Sequence, residues 1–153
     1  MLFIDDSWTF GGAIISLARL VKGLDALGVR SVVASGQPRA TMEELFGEGR
    51  PLQADLPVPP KHETVVRRLL EDYAPRSGTL GEVAHELKNL EWFVSWTLPD
   101  TMRCVRMALR HDVDLIHLNN GLESQISGLF AASVLRVPCV AHARGFPRFS
   151  RVV

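Results

Sequence analysis

The sequence predicts an α/β domain with a mostly parallel sheet of about five strands and helices on both faces. Two strand–helix–strand patterns carry that expectation. In one, Val113-Asp114-Leu115-Ile116-His117-Leu118-Asn119-Asn120-Gly121 is a short apolar run that turns polar as it ends. A buried parallel strand leaves its sheet in this way. Leu122, Ile126, Leu129, Phe130, Val134 and Val137 then recur at helical spacing, Pro138 stops that helix, and Cys139 to Ala143 reads as the next strand. Strand, helix and strand within about 30 residues make a βαβ unit. The other pattern opens the chain, from the apolar Met1–Ile4 through a leucine-rich helix to Ser31–Ser35.

Bulk properties agree. A chain of 153 residues holds one domain, residues 1–153, with a sizeable core. Its 46% hydrophobic and 22% charged residues match an ordinary globular protein. Formal net charge is zero, so the basic excess of a nucleic-acid binder is absent and no nucleic-acid partner is expected. Cys104 and Cys139 make no disulfide framework and are expected as reduced core residues. No run approaches the roughly 18 apolar residues of a membrane span, and no basic n-region precedes the first strand. A cytoplasmic location is therefore expected.

Taken in order, Met1–Ile4 is the first strand, followed by Asp5 and Asp6 and the loop Ser7-Trp8-Thr9-Phe10-Gly11-Gly12. Leu17, Leu20, Val21, Leu24 and Leu27 form the stripe of the first helix, and Gly28 suits the left-handed position that ends it. The second strand, Ser31–Ser35, is centred on Val32 and Val33. Thr41-Met42-Glu43-Glu44 reads as a capping box opening a short helix through Phe46. Pro51 to Leu56 is expected as a third, edge strand ended by Pro57, Pro59 and Pro60. Val65, Val66, Leu69 and Leu70 mark an amphipathic helix broken by Pro75 to Gly78. A second helix carries Leu80, Val83, Ala84, Leu87, Leu90 and Val94. Pro99-Asp100 is expected to interrupt it, and Thr101 to cap a third helix with Met102, Val105 and Leu109 inside. Trp92, Phe93 and Trp96 either pack on the sheet or form an acceptor-binding or membrane-surface face.

In open α/β sheets the ligand crevice lies at the carboxyl ends of the strands. Asp5, Asp6, His117, Asn119, Asn120, His142 and Arg144 all fall at or near such ends. Asp5 and Asp6 either serve as base or hydroxyl acceptor there or simply solvate a strand end. His142 and Arg144, two apart on one strand, face the same side and suit an anionic or polyhydroxylated ligand. Gly11-Gly12 either forms a bare tight turn or lets a ligand reach the free amides of a helix N-terminus. The nicotinamide fingerprint G-x-G-x-x-G, its acid after the second strand, and the P-loop G-K-[ST] are missing. His111, His117, His142, Cys104 and Cys139 share no ligand spacing, so no metal is expected. Ser124 and Ser127 lack a nucleophile elbow.

Three places together resemble the N-terminal domain of the family 4 glycosyltransferases of GT-B architecture. Phe10-Gly11-Gly12-Ala13, the helix Ile14 to Leu27 and Gly28-Val29-Arg30-Ser31-Val32-Val33 are similar to the family's "GGA…L…L…G-h-e-V-x-v" opening. Asp114-Leu115-Ile116-His117-Leu118-Asn119 is similar to its "D-[VI]-[VI]-H-x-H". Gly128 to Pro138 and Val140 to Gly145 look like its "A…x-x-P-x-V-x-x-x-H" strand. The likeness spans nearly the whole chain, although 38–111 matches only in outline. Asn119 stands where the family often has a second histidine. Arg144 stands where it usually has another, with His142 one strand period earlier.

The resemblance implies a Rossmann-like three-layer domain, incomplete at its C-terminus and without the family's donor-binding second domain. The implied activity is retaining, metal-independent transfer of a sugar from a nucleotide-sugar to an acceptor hydroxyl, of the kind that builds cell envelope polysaccharide. No cofactor is implied beyond the nucleotide-sugar co-substrate. By resemblance Gly11 and Gly12 face the donor diphosphate, Asp5, Asn119 and Asn120 bind acceptor, and His117, His142 and Arg144 are catalytic. Residues 61–98 would shape the pocket for a sugar or lipid-linked acceptor, the latter bringing peripheral contact with the inner membrane face. The chain alone is expected to be inactive without its donor domain in cis or in trans. The alternatives are a free-standing acceptor-binding subunit and a Rossmann-like nucleotide-binding domain of another class.

Overall fold

A computed structural model describes residues 1–6, 10–53, 79–120 and 124–142. The expected helix over Val65–Leu70, its break at Pro75–Gly78, the end of the expected edge strand and Arg144 lie outside the described residues. The strands are β1 (Leu2–Asp5), β2 (Val32–Ser35), β3 (Leu52–Gln53), β4 (Ile116–Leu118) and β5 (Cys139–Ala141). The helices are α1 (Gly12–Ala26), α2 (Arg39–Phe46), α3 (Thr79–Trp92), α4 (Leu98–Arg110) and α5 (Ile126–Leu135). The sheet order is β3-β2-β1-β4-β5 and every pairing is parallel. Four strands run three or four residues; β3 is only two residues long, at the edge.

Strand alternation divides the core into two. Leu2, Ile4, Val32, Ala34, Ile116 and Leu118 pack with Cys104 and Ala108 of α4 and Ala131 and Ala132 of α5. Phe3 and Val33 point the other way, onto Ile14, Leu17, Ala18 and Val21 of α1 and Met42 and Phe46 of α2. Period-2 side chains thus meet helices on both faces. Each large side chain fully buried there contributes roughly 1.5–3 kcal/mol relative to exposure.

The helices lie where the pattern places them, but several turn a different face inward. In α1, Ile14, Leu17, Ala18 and Val21 are buried, whereas Leu20 and Leu27 of the expected stripe are exposed. Gly28 does take the left-handed conformation, φ 80°, and its N–H bonds Asp25 O at 2.9 Å. The capping box does not form. Helix α2 begins at Arg39 behind Pro38, which leaves Thr41 inside it, and Arg39 pairs with Glu43 one turn on at 2.7 Å.

The expected break at Pro99 is absent too. Helix α3 runs through a π-helical turn (Phe93–Thr97) directly into α4, with Pro99 in the first turn of α4. A proline there interrupts little, since the first turn's N–H groups need no partner within their own helix. Thr101 does not cap; its Oγ1 donates to Thr97 O at 2.8 Å.

The inward faces of α4 and α5 are built from small residues. Thr97, Thr101, Cys104 and Ala108 face the core in one; Ser127, Gly128, Ala131 and Ala132 do so in the other. The large apolar residues expected inside, Met102, Leu109, Ile126, Leu129, Phe130 and Val134, are exposed. Close approach is the reason. A Cβ on Gly128 would stand 2.5 Å from Leu118 Cδ2 and 2.7 Å from Ile4 Cδ1, so only small residues fit between helix and sheet. Val83, Leu87 and Leu90 of α3 are exposed as well. The aromatic trio packs away from the sheet: Phe93 meets Phe130 edge-on at 5.6 Å, and Trp92 lies 6.1 Å from Trp96.

Candidate functional site

The strand order 3-2-1-4-5 reverses direction between β1 and β4, so the crevice of an open parallel sheet opens at their carboxyl ends. Backbone pairing fixes those ends. Leu2, Phe3 and Ile4 align with Ile116, His117 and Leu118, and the N–H of Asn119 extends the ladder to Ile4 O at 2.9 Å. The expected residues Asp5, Asn119 and Asn120 meet at this point.

Asp5 and Asn119 are fully buried. Asn119 Nδ2 donates to Asp5 Oδ1 at 2.8 Å, Asn120 Nδ2 donates to the same oxygen at 3.1 Å, and Ser35 Oγ donates to Oδ2 at 3.2 Å. One carboxylate therefore ties together the ends of β1, β2 and β4. Such charge-assisted bonds are the strong kind, and burial makes the loss of a partner costly. Asp5 thus bears on the crevice through Asn120 rather than by offering open oxygens. Asp6 is half-buried and accepts from Asn120 Nδ2 and from Gln125 Nε2, the latter at 3.1 Å.

Gln125 was not expected. It is almost wholly buried just before α5, and its Nε2 also donates to Ile4 O at 3.0 Å. The available signal was position: a polar residue immediately ahead of the helix that follows a crevice strand.

The start of α1 forms the opposite wall. Gly11, the residue before the helix, is extended, and among the described residues no side chain caps the N–H groups behind it. A Cβ on Gly12 would meet none of the described residues within 4 Å. Asn119 Nδ2 also reaches Ala13 O at 3.4 Å, linking this helix end to the end of β4. Free amides and the helix dipole favour an anionic group, and the Asp6 carboxylate and the Asn120 side-chain oxygen offer acceptors for hydroxyl groups, the Asn120 Nδ2 hydrogens being spent on Asp5 and Asp6.

The histidines lie to one side. His117 is buried in β4, its ring 5.2 Å from Phe3 and 6.1 Å, edge-on, from that of His142. His142 is exposed just past β5, and its N–H bonds Leu118 O at 2.8 Å. Two strand spacings put it about 10 Å from the end of β1. The buried His117 ring thus lies beside that of His142, and the exposed His142 can touch a ligand. Among the described residues no group of three or more His, Cys, Asp or Glu is arranged to hold a metal ion, and no helix is long and apolar enough to cross a membrane.

No protein-family model matches the chain, and no curated protein matches it.

Proposed function

We propose that this chain is the acceptor-side domain of a retaining, metal-independent glycosyltransferase that draws on a nucleotide-sugar donor. The observation that carries the reading is the adjacency of β1 and β4. It brings the Gly11-Gly12 helix start and the Asn119-Asn120 strand end, two of the three resembling stretches, within one hydrogen bond of each other at Ala13.

In this reading the amides at Gly12 face the donor diphosphate or the transferring sugar, replacing a metal ion as its electrostatic partner. Asp6 and Asn120 hold acceptor hydroxyls, with Asp5, Asn119 and Gln125 fixing their positions. His142, beside His117, lines the β5 side of the cleft, and the resemblance gives Arg144 a part in the same chemistry. A second domain, in cis or in trans, closes over the donor. The donor's chemistry makes the cytoplasm the working compartment, and a lipid-linked acceptor would bring the domain against the inner membrane face.

A dinucleotide-binding domain shares this strand order. Its fingerprint is missing, however, and β2 ends in Ser35-Gly36-Gln37, with Ser35 committed to Asp5 instead of an acid facing a ribose. Titrating the 15N-labelled protein with UDP-, GDP- and TDP-sugars, simple glycosides and NAD separates the two. The expected result is shifts at Gly12, Asn120 and His142 with a nucleotide-sugar or glycoside. Shifts with NAD alone, or none at millimolar sugar, would refute the sugar-transfer reading.

A further inference from the structure

A second cleft lies away from the crevice, between α4 and the β3 edge of the sheet. Arg103, Arg106 and Arg110 stand at helical spacing along one side of α4 and line a cavity of about 140 Å³ together with His111. Leu52 and Met107 supply apolar surface, and among the described residues no carboxylate lines the cavity. Arg103 has one distant acidic neighbour, Asp100, at 3.9 Å. Among the described residues no acid lies within ion-pair reach of Arg106 or Arg110.

Like charges one helical turn apart repel, so three guanidinium groups around one small cavity are unfavourable without a counter-ion. The helix dipole accounts for basic residues in the last turn of α4, but not for Arg103 two turns earlier facing the same cavity. Guanidinium forks bind phosphoryl oxygens in pairs, and the volume suits one or two phosphoryl groups. A much larger cavity of about 960 Å³ at the amino ends of the strands adjoins this cleft, sharing Val32, Pro51 and His111; there Asp25, Glu48, Asp112 and Asp114 stand beside Arg30 and Arg50, and Arg50 is paired with Asp25.

We propose that the arginine cleft of α4 is a binding site for a phosphate-bearing ligand, separate from the crevice at the strand ends. Its ligand is either a free phosphorylated small molecule or the phosphate of a lipid headgroup, since both present the same oxygens. Inorganic diphosphate and phosphatidylglycerol–phosphatidylcholine vesicles are the probes, followed by calorimetry and by co-sedimentation respectively. The wild-type chain should bind at least one of them, with affinity falling as salt rises. The double variant Arg106→Gln/Arg110→Gln should lose tenfold or more. Arg106→Lys/Arg110→Lys, which keeps the charge without the fork, should lose less, and Arg19→Gln on α1 should bind as wild type. Both arginines are exposed, so the helix's inward face is untouched; arginine side-chain NMR signals shifting with diphosphate in the unaltered protein provide a readout that needs no variant. Binding of diphosphate assigns a free phosphate ligand, and binding of vesicles alone assigns a headgroup. Failure of both probes, or equal binding by the glutamine variant, overturns the site.

Discussion

The side-chain amide of Asn119 donates to the buried carboxylate of Asp5 over 2.8 Å, joining residues 114 apart in sequence at the point where the strand order of the parallel sheet reverses. This bond holds the two crevice strands in register at their ends and fixes where Asn120 and Asp6 stand. Removing either partner leaves buried polar atoms without their bonds, at about 1–3 kcal/mol for each group stranded.

Asp5→Ala removes the acceptor shared by Asn119, Asn120 and Ser35 and should cost about 3 kcal/mol; Asn119→Ala should cost about 2 kcal/mol, because Asn120 and Ser35 still reach Asp5. Urea unfolding curves report both as shifted midpoints with unchanged slope. A loss below about 0.5 kcal/mol in either variant would deny the pair its structural role.

Gly12 separates a bare turn from a ligand wall. Because none of the described residues lies within 4 Å of its would-be Cβ, Gly12→Ala and Gly12→Leu should unfold within about 0.5 kcal/mol of wild type. The leucine should nevertheless weaken any sugar or nucleotide-sugar binding tenfold or more. Marked destabilisation with unchanged binding would make Gly12 a residue of the fold alone.

Gly128 should behave in the opposite way. An alanine there drives into Leu118 and Ile4, an overpacking cost of about 1–3 kcal/mol. Combining Gly128→Ala with Leu118→Val should cost less than the sum of the two changes, as coupling between touching residues requires. Strict additivity in thermal melts would mean that α5 sits farther from the sheet.

Cys104 gives a pH signature. Burial first, and then the Asp100 carboxylate, push its thiol up to about 12 from the ordinary 9.0. The unfolded thiol ionises near 9 while the native one stays protonated. The associated stability is complete below pH 9 and is lost as pH rises from there toward 12, at no more than about 1.4 kcal/mol per pH unit. Urea titrations at pH 8 and pH 10.5 should show a steeper loss for wild type than for Cys104→Ala. In the native protein a thiol reagent should modify the partly exposed Cys139 first and leave Cys104 intact.

The element order was legible in the sequence because its signals are local. Gly28 marks the end of α1, Pro138 precedes β5, and the apolar runs at Leu2–Ile4 and Ile116–Leu118 are short enough to be strands. The gathering of Asp5, Asn119 and Asn120 was legible as well, since all three fall at strand ends and strand ends share one rim.

The inward faces of α4 and α5 were not legible, whereas that of α1 was in part, since Leu17 and Val21 of the expected stripe are buried. Periodicity favours the largest apolar residues, yet Leu20, Met102, Leu129 and Phe130 face outward while Thr101, Ser127 and Gly128 face the sheet. That choice belongs to packing distance: a helix lying close on a sheet admits small side chains only, and no local pattern encodes the distance. Nor could the chain order reveal that α4 would draw three arginines around one cavity, or that Gln125 would reach back to β1. Sequence by itself determined which segments are strands and helices and which polar residues end the strands, through propensity and punctuation a few residues wide. Tertiary structure alone decided which strands became neighbours and which helix faces turned inward, because both follow from how distant segments fill a shared volume.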